Sequence, residues 1–227
     1  MAEENQDMRK IISRLPGWAK KPLKPLKEKS LKTCRAIQYY GKGRFCPVCG
    51  KWSSRFCEYG VEKRQDARCV HCGSLERHRL VWLYLQKRTD FFDGKSKKML
   101  HVAPEPCFVS KLRQCLGRNY LSADLVNPQA MVKMDITNIE YPDQSFDIIY
   151  CCHVLQHCRD DRKAMHEFYR ILATEGWLLL QEPVTTEQTI EDPSVIDPQD
   201  RLRVFGQHDR VRRYGPDYLE RLRETAF

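Results

Sequence analysis

Phe146-Asp-Ile-Ile-Tyr-Cys-Cys152 is apolar apart from a single acid and is rich in Ile and Tyr, the composition of a buried strand. Asp161 to Ala173 follows as an amphipathic helix, closed by Glu175-Gly176. Trp177-Leu-Leu-Leu-Gln181 then reads as another strand, ended by Glu182-Pro183. Strand, helix and strand in this order form the repeating unit of a parallel sheet.

The same rhythm extends toward the N-terminus. Met99 to Ala103 is a short apolar run, Cys107 to Leu116 is helical, Tyr120-Leu-Ser-Ala-Asp124 is a strand ending in an acid, and Met131 to Ile136 is a further strand. Strands of this length alternating with helices predict an α/β domain with a Rossmann-like, doubly wound and mostly parallel sheet. Beyond it, Pro193 to Gly206 is expected to be a long loop and Asp217 to Thr225 a last helix.

Ahead of this rhythm the chemistry changes. Phe45-Cys46-Pro47-Val48-Cys49-Gly50 and Cys69-Val70-His71-Cys72-Gly73 are two Cys-x-x-Cys pairs separated by 19 residues. That spacing is read as a zinc ribbon, with Cys46, Cys49, Cys69 and Cys72 as the four thiolates of a closed, structural Zn²⁺ site. Gly50 and Gly73 suit the tight turn that follows each pair. The competing reading, a redox Cys-x-x-Cys, is poorly served by two such pairs at this distance. Cys57 and His71 lie off the spacing. The layout predicts a basic arm or helical appendage at 1–41 and a ribbon at 42–76. The α/β domain then spans 77–227, led by a helix at 74–88.

Composition bounds the function. The 227 residues hold 39 Lys and Arg against 30 Asp and Glu, and the excess lies in the first part: residues 1–45 carry net +8, 46–98 net +6, and 99–227 net −5. A basic half joined to a mildly acidic one suits a polyanion partner, with a solvated basic arm as the plainer reading. Eleven cysteines in a chain of this size favour reduced thiols and a metal over a disulfide framework, hence a cytoplasmic setting. The acidic start Met1-Ala-Glu-Glu is unlike a secretory signal, and no apolar run is long enough for a transmembrane segment.

One long string carries a resemblance. It runs from Asp135-Ile-Thr-Asn-Ile-Glu-Tyr-Pro-Asp-Gln-Ser-Phe-Asp147 through His153-Val-Leu-Gln-His157 to Arg170-Ile-Leu-Ala-Thr-Glu-Gly176. In this order it resembles the adenine-side acid, the P-D-x-S-F-D block, the H-V-L-x-H segment and the R-x-L-x-x-x-G turn of class I S-adenosylmethionine-dependent methyltransferases. The likeness covers about residues 97–227. Phe205 to Tyr218 is similar to the late region of members that carry a zinc ribbon in front.

The resemblance implies S-adenosylmethionine as cofactor, bound beyond the carboxyl ends of the strands. Asp124 then stands where an acid accepts the ribose hydroxyls, or serves as a turn or cap acid. Asp135 stands where the adenine amino group is held, or forms an Asx turn. Ile136 would pack on the ring. His153, just past its strand, would touch cofactor or substrate, with capping or packing as the alternative. The first loop departs from the family's acid-x-Gly-x-Gly-x-Gly pattern: it reads His101-Val-Ala103-Pro-Glu105-Pro-Cys107, without glycine. Ala103 still allows close approach, and Glu105 is expected to face the methionine ammonium in place of the acid that His101 lacks. A loop that no longer binds cofactor is the other outcome. The sheet, ending with the chain at Phe227, is expected to be truncated relative to the family.

These features predict a methyltransferase with a structural zinc ion and no catalytic side chain assigned. RNA, gripped by basic residues 1–98, is the expected acceptor, with a small-molecule or protein acceptor open and the oligomeric state unaddressed. Two rivals stand beside it. One is a zinc-ribbon nucleic-acid-binding protein with a degenerate methyltransferase-like domain. The other is a peripheral membrane methyltransferase acting on a lipid or saccharide precursor.

Overall fold

The computed structural model describes residues 38–60, 62–225 and 227, so most of the arm expected at 1–41 lies outside the described residues. The chain divides into two compact units, Met1–Arg88 and Thr89–Phe227.

In the first unit, β1 (Arg44–Cys46) pairs antiparallel with β2 (Lys51–Ser53), and β3 (Cys57–Tyr59) pairs antiparallel with β4 (Arg64–Arg68). Hairpins this short cannot hold themselves together in water. Their buried side chains are few: Val48, Phe56, Ala67 and two of the cysteines, Cys46 and Cys69. Helix α1 (Glu76–Arg88) follows, with Glu76 in its first turn and Lys87 and Arg88 in its last, the polarity the helix dipole favours.

The second unit is built on five parallel strands in the order β7-β6-β5-β8-β9, the sheet expected from the sequence. They are β5 (Met99–Val102), β6 (Tyr120–Asp124), β7 (Val132–Lys133), β8 (Phe146–Cys152) and β9 (Leu172–Gln181). Helix α2 (Pro106–Leu116) joins β5 to β6, and α3 (Asp161–Ile171) joins β8 to β9. The two central strands are buried along nearly all of their lengths, which explains their mostly apolar sequence. Leu100, Val102, Ile149 and Cys151 meet Met165, Phe168 and Ile171 of α3 in one core. Because β5 lies between β6 and β8, the chain reverses direction of winding there, and the crevice at the carboxyl ends of β5 and β8 is the switch point.

Four boundaries differ from expectation. β7 is only two residues long and pairs by Ala123↔Val132 and Asp124↔Lys133, short of the expected Met131 to Ile136. Helix α3 ends at Ile171, and β9 begins at once at Leu172 rather than at Trp177. Gly176 lies inside that strand, where a Cβ would meet the Asp147 carbonyl oxygen at 2.7 Å. The span 193–206, expected as a loop, contains helix α4 (Pro198–Phe205). Asp197 caps it by accepting from the Gln199 and Asp200 backbone N–H groups at 2.7 and 3.3 Å, and Pro198 fits the first turn.

The remaining elements fold over one end of the sheet. β10 (Ile190–Glu191) pairs antiparallel with β11 (Arg212–Arg213), and α5 (Tyr218–Glu224) lies close to the end of the chain. Asp161, Tyr214, Arg212 and Arg221 are buried together here. The Tyr214 hydroxyl donates to Asp161 at 2.6 Å, and Arg221 donates to Asp161 at 3.1 Å and to Glu191 at 2.8 Å. Each charge has a partner, as burial requires.

Candidate cofactor cavity and metal cluster

The four cysteines of the first unit converge. Their sulfurs all lie within 4.8 Å of one another, with Cys46 Sγ 3.7 Å from Cys72 Sγ and Cys49 Sγ 3.8 Å from Cys69 Sγ. A tetrahedral ion with bonds of about 2.3 Å to sulfur sets neighbouring sulfurs roughly 3.8 Å apart, so the cluster fits Zn²⁺. Two matching turns create it. Gly50 N–H donates to the Cys46 carbonyl at 2.8 Å and Gly73 N–H to the Cys69 carbonyl at 2.9 Å. Both glycines sit in the left-handed region, at φ 69° and 76°. The Ser74 hydroxyl lies 3.2 Å from the sulfurs of both Cys46 and Cys72, a hydrogen-bonding partner behind the ligands. The Cys46 thiol is driven far down by sulfur donors from Cys69 and Cys72. Cys69 is driven up in return, and burial pushes Cys49 up to about 11. Cys57 and His71 stay outside it, and His71 Nε2 instead lies 3.0 Å from the Trp52 carbonyl.

The second unit holds a cavity of about 690 Å³ at the switch point. Ala103, Asp124, Asp135, Ile136 and His153, all singled out from the sequence, line it. Asp124 ends β6, and its Oδ1 accepts from the Val126 and Asn127 N–H groups, both at 2.8 Å. Asp135 Oδ1 accepts from the Thr137 N–H at 2.9 Å and hydroxyl at 2.8 Å, an Asx turn. In both acids one carboxylate oxygen shapes the loop. Among the described residues the other, Oδ2, accepts no hydrogen bond. Val102, Leu125, Met134, Ile136 and Val154 supply apolar walls between these two acids.

The wall opposite follows β8. His153 takes a left-handed backbone, φ 58°, and its N–H donates to the Gln181 carbonyl at 2.8 Å. The Val154 and Leu155 N–H groups donate to Glu182 Oε1 at 2.8 and 2.9 Å. Burial pushes the Glu182 carboxyl up to about 7, against the pull of those N–H groups. Arg212 reaches in from β11 and donates to the carbonyls of Leu155 at 2.6 Å, Arg159 at 2.8 Å and also Cys158. Glu191 beside it is drawn down to about 2, by Arg221 first and Arg212 second.

Two expected site residues lie off the cavity. His101 is fully buried in β5 and Glu105 lies at the head of α2, its carboxylate turned inward onto His101 Nε2 and the Tyr150 hydroxyl. Conversely, sequence reasoning missed His157, Arg159, Asp160 and Asp209 as lining residues. Leu125 and Val126 were missed too, although their place directly after the acid of β6 was a signal for them. Asp209 gave none, because it arrives from a segment 52 residues beyond His157, whose Nδ1 lies 3.3 Å from the Asp209 carbonyl. Cys151 and Cys158 offer no thiolate: burial raises both thiols, Cys158 to about 11.

Comparison with known proteins gives a resemblance over part of the chain. Residues 92–180 match the model of a methyltransferase domain. An uncharacterized methyltransferase, YcgJ of Bacillus subtilis (strain 168), is 36% identical over 66 residues, which is 29% of this chain and 26% of that protein. The chain thus matches only about a quarter of that relative's length. The crystal structure of YcgJ matches with a TM-score of 0.46 at 18% identity, covering 65% of this chain and 66% of that one. The [4+2]-cyclase SpnF matches with a TM-score of 0.48 at 17% identity, covering 79% of this chain and 66% of that one. Residues 92–180 are thus similar to a methyltransferase domain, and strands β5 to β9 within and beside that span form a Rossmann-like sheet.

Proposed function

We propose that the protein transfers a methyl group from S-adenosylmethionine, with a zinc ion in the four-cysteine cluster holding the first unit together. The carrying observation is the pair of half-used acids. Asp124 and Asp135 line one cavity together with apolar side chains, and each has a second carboxylate oxygen that accepts no hydrogen bond among the described residues. Asp124 suits the two hydroxyls of a ribose and Asp135 the exocyclic amine of an adenine, with Ile136 and Leu125 against the ring. A cavity of about 690 Å³ lies within the range that encloses a cofactor-sized ligand. Bound there, S-adenosylmethionine supplies an electrophilic methyl group.

The chain's own part is to hold reactants in line and exclude water. Ala103 and His153 border the cavity from neighbouring strands β5 and β8, between which the methionine portion would lie. Arg212, by clasping the carbonyls of 155, 158 and 159, fixes the stretch that brings Cys158 and Arg159 to the cavity. Titration calorimetry with S-adenosylhomocysteine tests the reading. Micromolar binding by the zinc-loaded protein, weakened at least tenfold by Asp124→Ala, is expected. Equal binding by Asp124→Ala would remove the ribose role, and no binding by either would remove the cofactor.

The proposed partner is an RNA held by the first unit, in a cytoplasmic setting whose reducing conditions suit a thiolate cluster. Exposed Phe45 and Trp52, with ring centroids 5.1 Å apart on β1 and β2, support this as a stacking surface amid exposed Lys51 and Arg55. Binding of a labelled single-stranded RNA should fall with added salt and with Trp52→Ala. Salt-dependent capture by anionic vesicles without RNA binding would overturn it. No helix among the described residues is long and apolar enough to cross a membrane.

A further inference from the structure

The first loop of the cavity poses a backbone problem. Ala103 leaves β5 with φ 48°, in the left-handed region where a side chain is disfavoured. It lines the cavity, and its N–H donates to the Ala123 carbonyl at 2.8 Å. A glycine would take this conformation freely. This chain has none in the loop, and two prolines, Pro104 and Pro106, flank Glu105.

Glu105 sits in the N-cap position of α2, yet its side chain makes no capping hydrogen bond to that helix. Its carboxylate goes elsewhere. Oε2 accepts from His101 Nε2 at 2.7 Å and Oε1 from the Tyr150 hydroxyl at 2.9 Å. With Nε2 protonated, His101 Nδ1 accepts from the Tyr120 hydroxyl at 2.9 Å. His101, Tyr120 and Tyr150 are all buried, and they come from three adjacent strands: β5, β6 and β8. A hydrogen-bonded chain across three strands is rigid, and leaving any member unmatched in the core is costly.

Resting on the cofactor reading above, we propose that Glu105 is a positioning residue. By latching residues 103–106 to His101 and Tyr150, it holds Ala103 in the left-handed conformation that the cofactor cavity requires. The latch does by side-chain hydrogen bonds what a glycine would do by conformational freedom. Glu105 therefore acts from behind the loop and does not itself touch the cofactor.

A double-mutant cycle tests this in the full zinc-loaded protein. S-adenosylhomocysteine affinity is measured for the natural chain, Glu105→Gln, Ala103→Gly and the pair. Glu105→Gln keeps shape but puts an amide N–H against a donor, so affinity should fall about tenfold, the penalty of a left-handed alanine no longer enforced. In the Ala103→Gly background the same change should cost less than about threefold. Equal losses in both backgrounds, or no loss in either, would overturn the latch. Amide exchange at Ala103 N–H, read without ligand, keeps the test independent of the cofactor. It should quicken about tenfold in Glu105→Gln and recover in the pair. If the natural chain binds no S-adenosylhomocysteine while exchange shows this rescue, the cofactor reading fails and the latch stands. If binding is present but neither readout shows rescue, the latch alone fails.

Discussion

The two cysteine turns and the first loop of the cavity face the same backbone demand and meet it differently. In the turns, a left-handed residue must follow each Cys-x-x-Cys, and glycine stands there, at Gly50 and Gly73. In the loop, the left-handed residue is Ala103, braced by a buried hydrogen-bonded chain. The first solution is local, set by the turn itself. The second exists only once three strands of the sheet are assembled. A metal cluster in a unit with little core needs the local kind. A ligand loop on a well-packed sheet can draw on the sheet.

That contrast can be broken at several points. The largest effect belongs to the metal. Chelation of zinc, or Cys69→Ala, should unfold the described part of the first unit, since metal binding in such modules is worth on the order of 10 kcal/mol. The β5-to-β9 sheet should survive. Metal content and amide exchange resolved along the chain check this, and a protected first unit without metal would contradict it.

Next comes a second carboxylate of the sheet, turned inward like that of Glu105. Glu105 has both oxygens engaged, whereas Glu182 Oε2 is buried with no hydrogen-bond partner among the described residues. Burial raises the Glu182 carboxyl from an ordinary 4.5 to about 7. Between those pH values the native state binds the proton that the unfolded state has lost, so this group's contribution to stability falls as pH rises and levels off above 7. Glu182→Gln should gain on the natural protein across that window, by up to about 3 kcal/mol. Denaturant unfolding from pH 4.5 to 8 measures it, and parallel curves for both proteins would refute it.

Smaller effects compare the turns with the loop directly. Gly50→Ala meets no atom within 4 Å, so its cost is conformational alone, about 1–2 kcal/mol. Ala103→Gly removes the same strain but frees the unfolded chain, leaving a net change within about 1 kcal/mol, neutral or stabilising. Metal affinity and denaturation midpoints of the two variants give the comparison. Destabilisation by Ala103→Gly as large as that by Gly50→Ala would show that Ala103 is not strained.

Much of this molecule was legible from its residues, for identifiable reasons. Tyr120–Asp124 and Phe146–Cys152 read to their ends because strands near the middle of the sheet carry apolar runs bounded by polar residues. The four cysteines read from spacing because their turns are local. Helix Pro198–Phe205 was passed over although Asp197, Pro198 and Gly206 mark both its ends, since only Phe205 of the helix is buried and the apolar pattern is faint. The inward turn of Glu105 was beyond sequence reasoning: Tyr150 lies 45 residues away, and only the sheet register brings it to the loop. Arg212 was hidden likewise, its carbonyl partners being 53 to 57 residues earlier.

The central claim is that the glycine-free loop, Asp124, Asp135 and the segment after β8 enclose one cofactor. Amide exchange of the zinc-loaded protein with and without S-adenosylhomocysteine tests it most directly. Slowed exchange confined to 103–105, 124–127, 135–137 and 153–160 is the predicted result. Unchanged exchange at saturating ligand, or protection elsewhere in the chain, would contradict it.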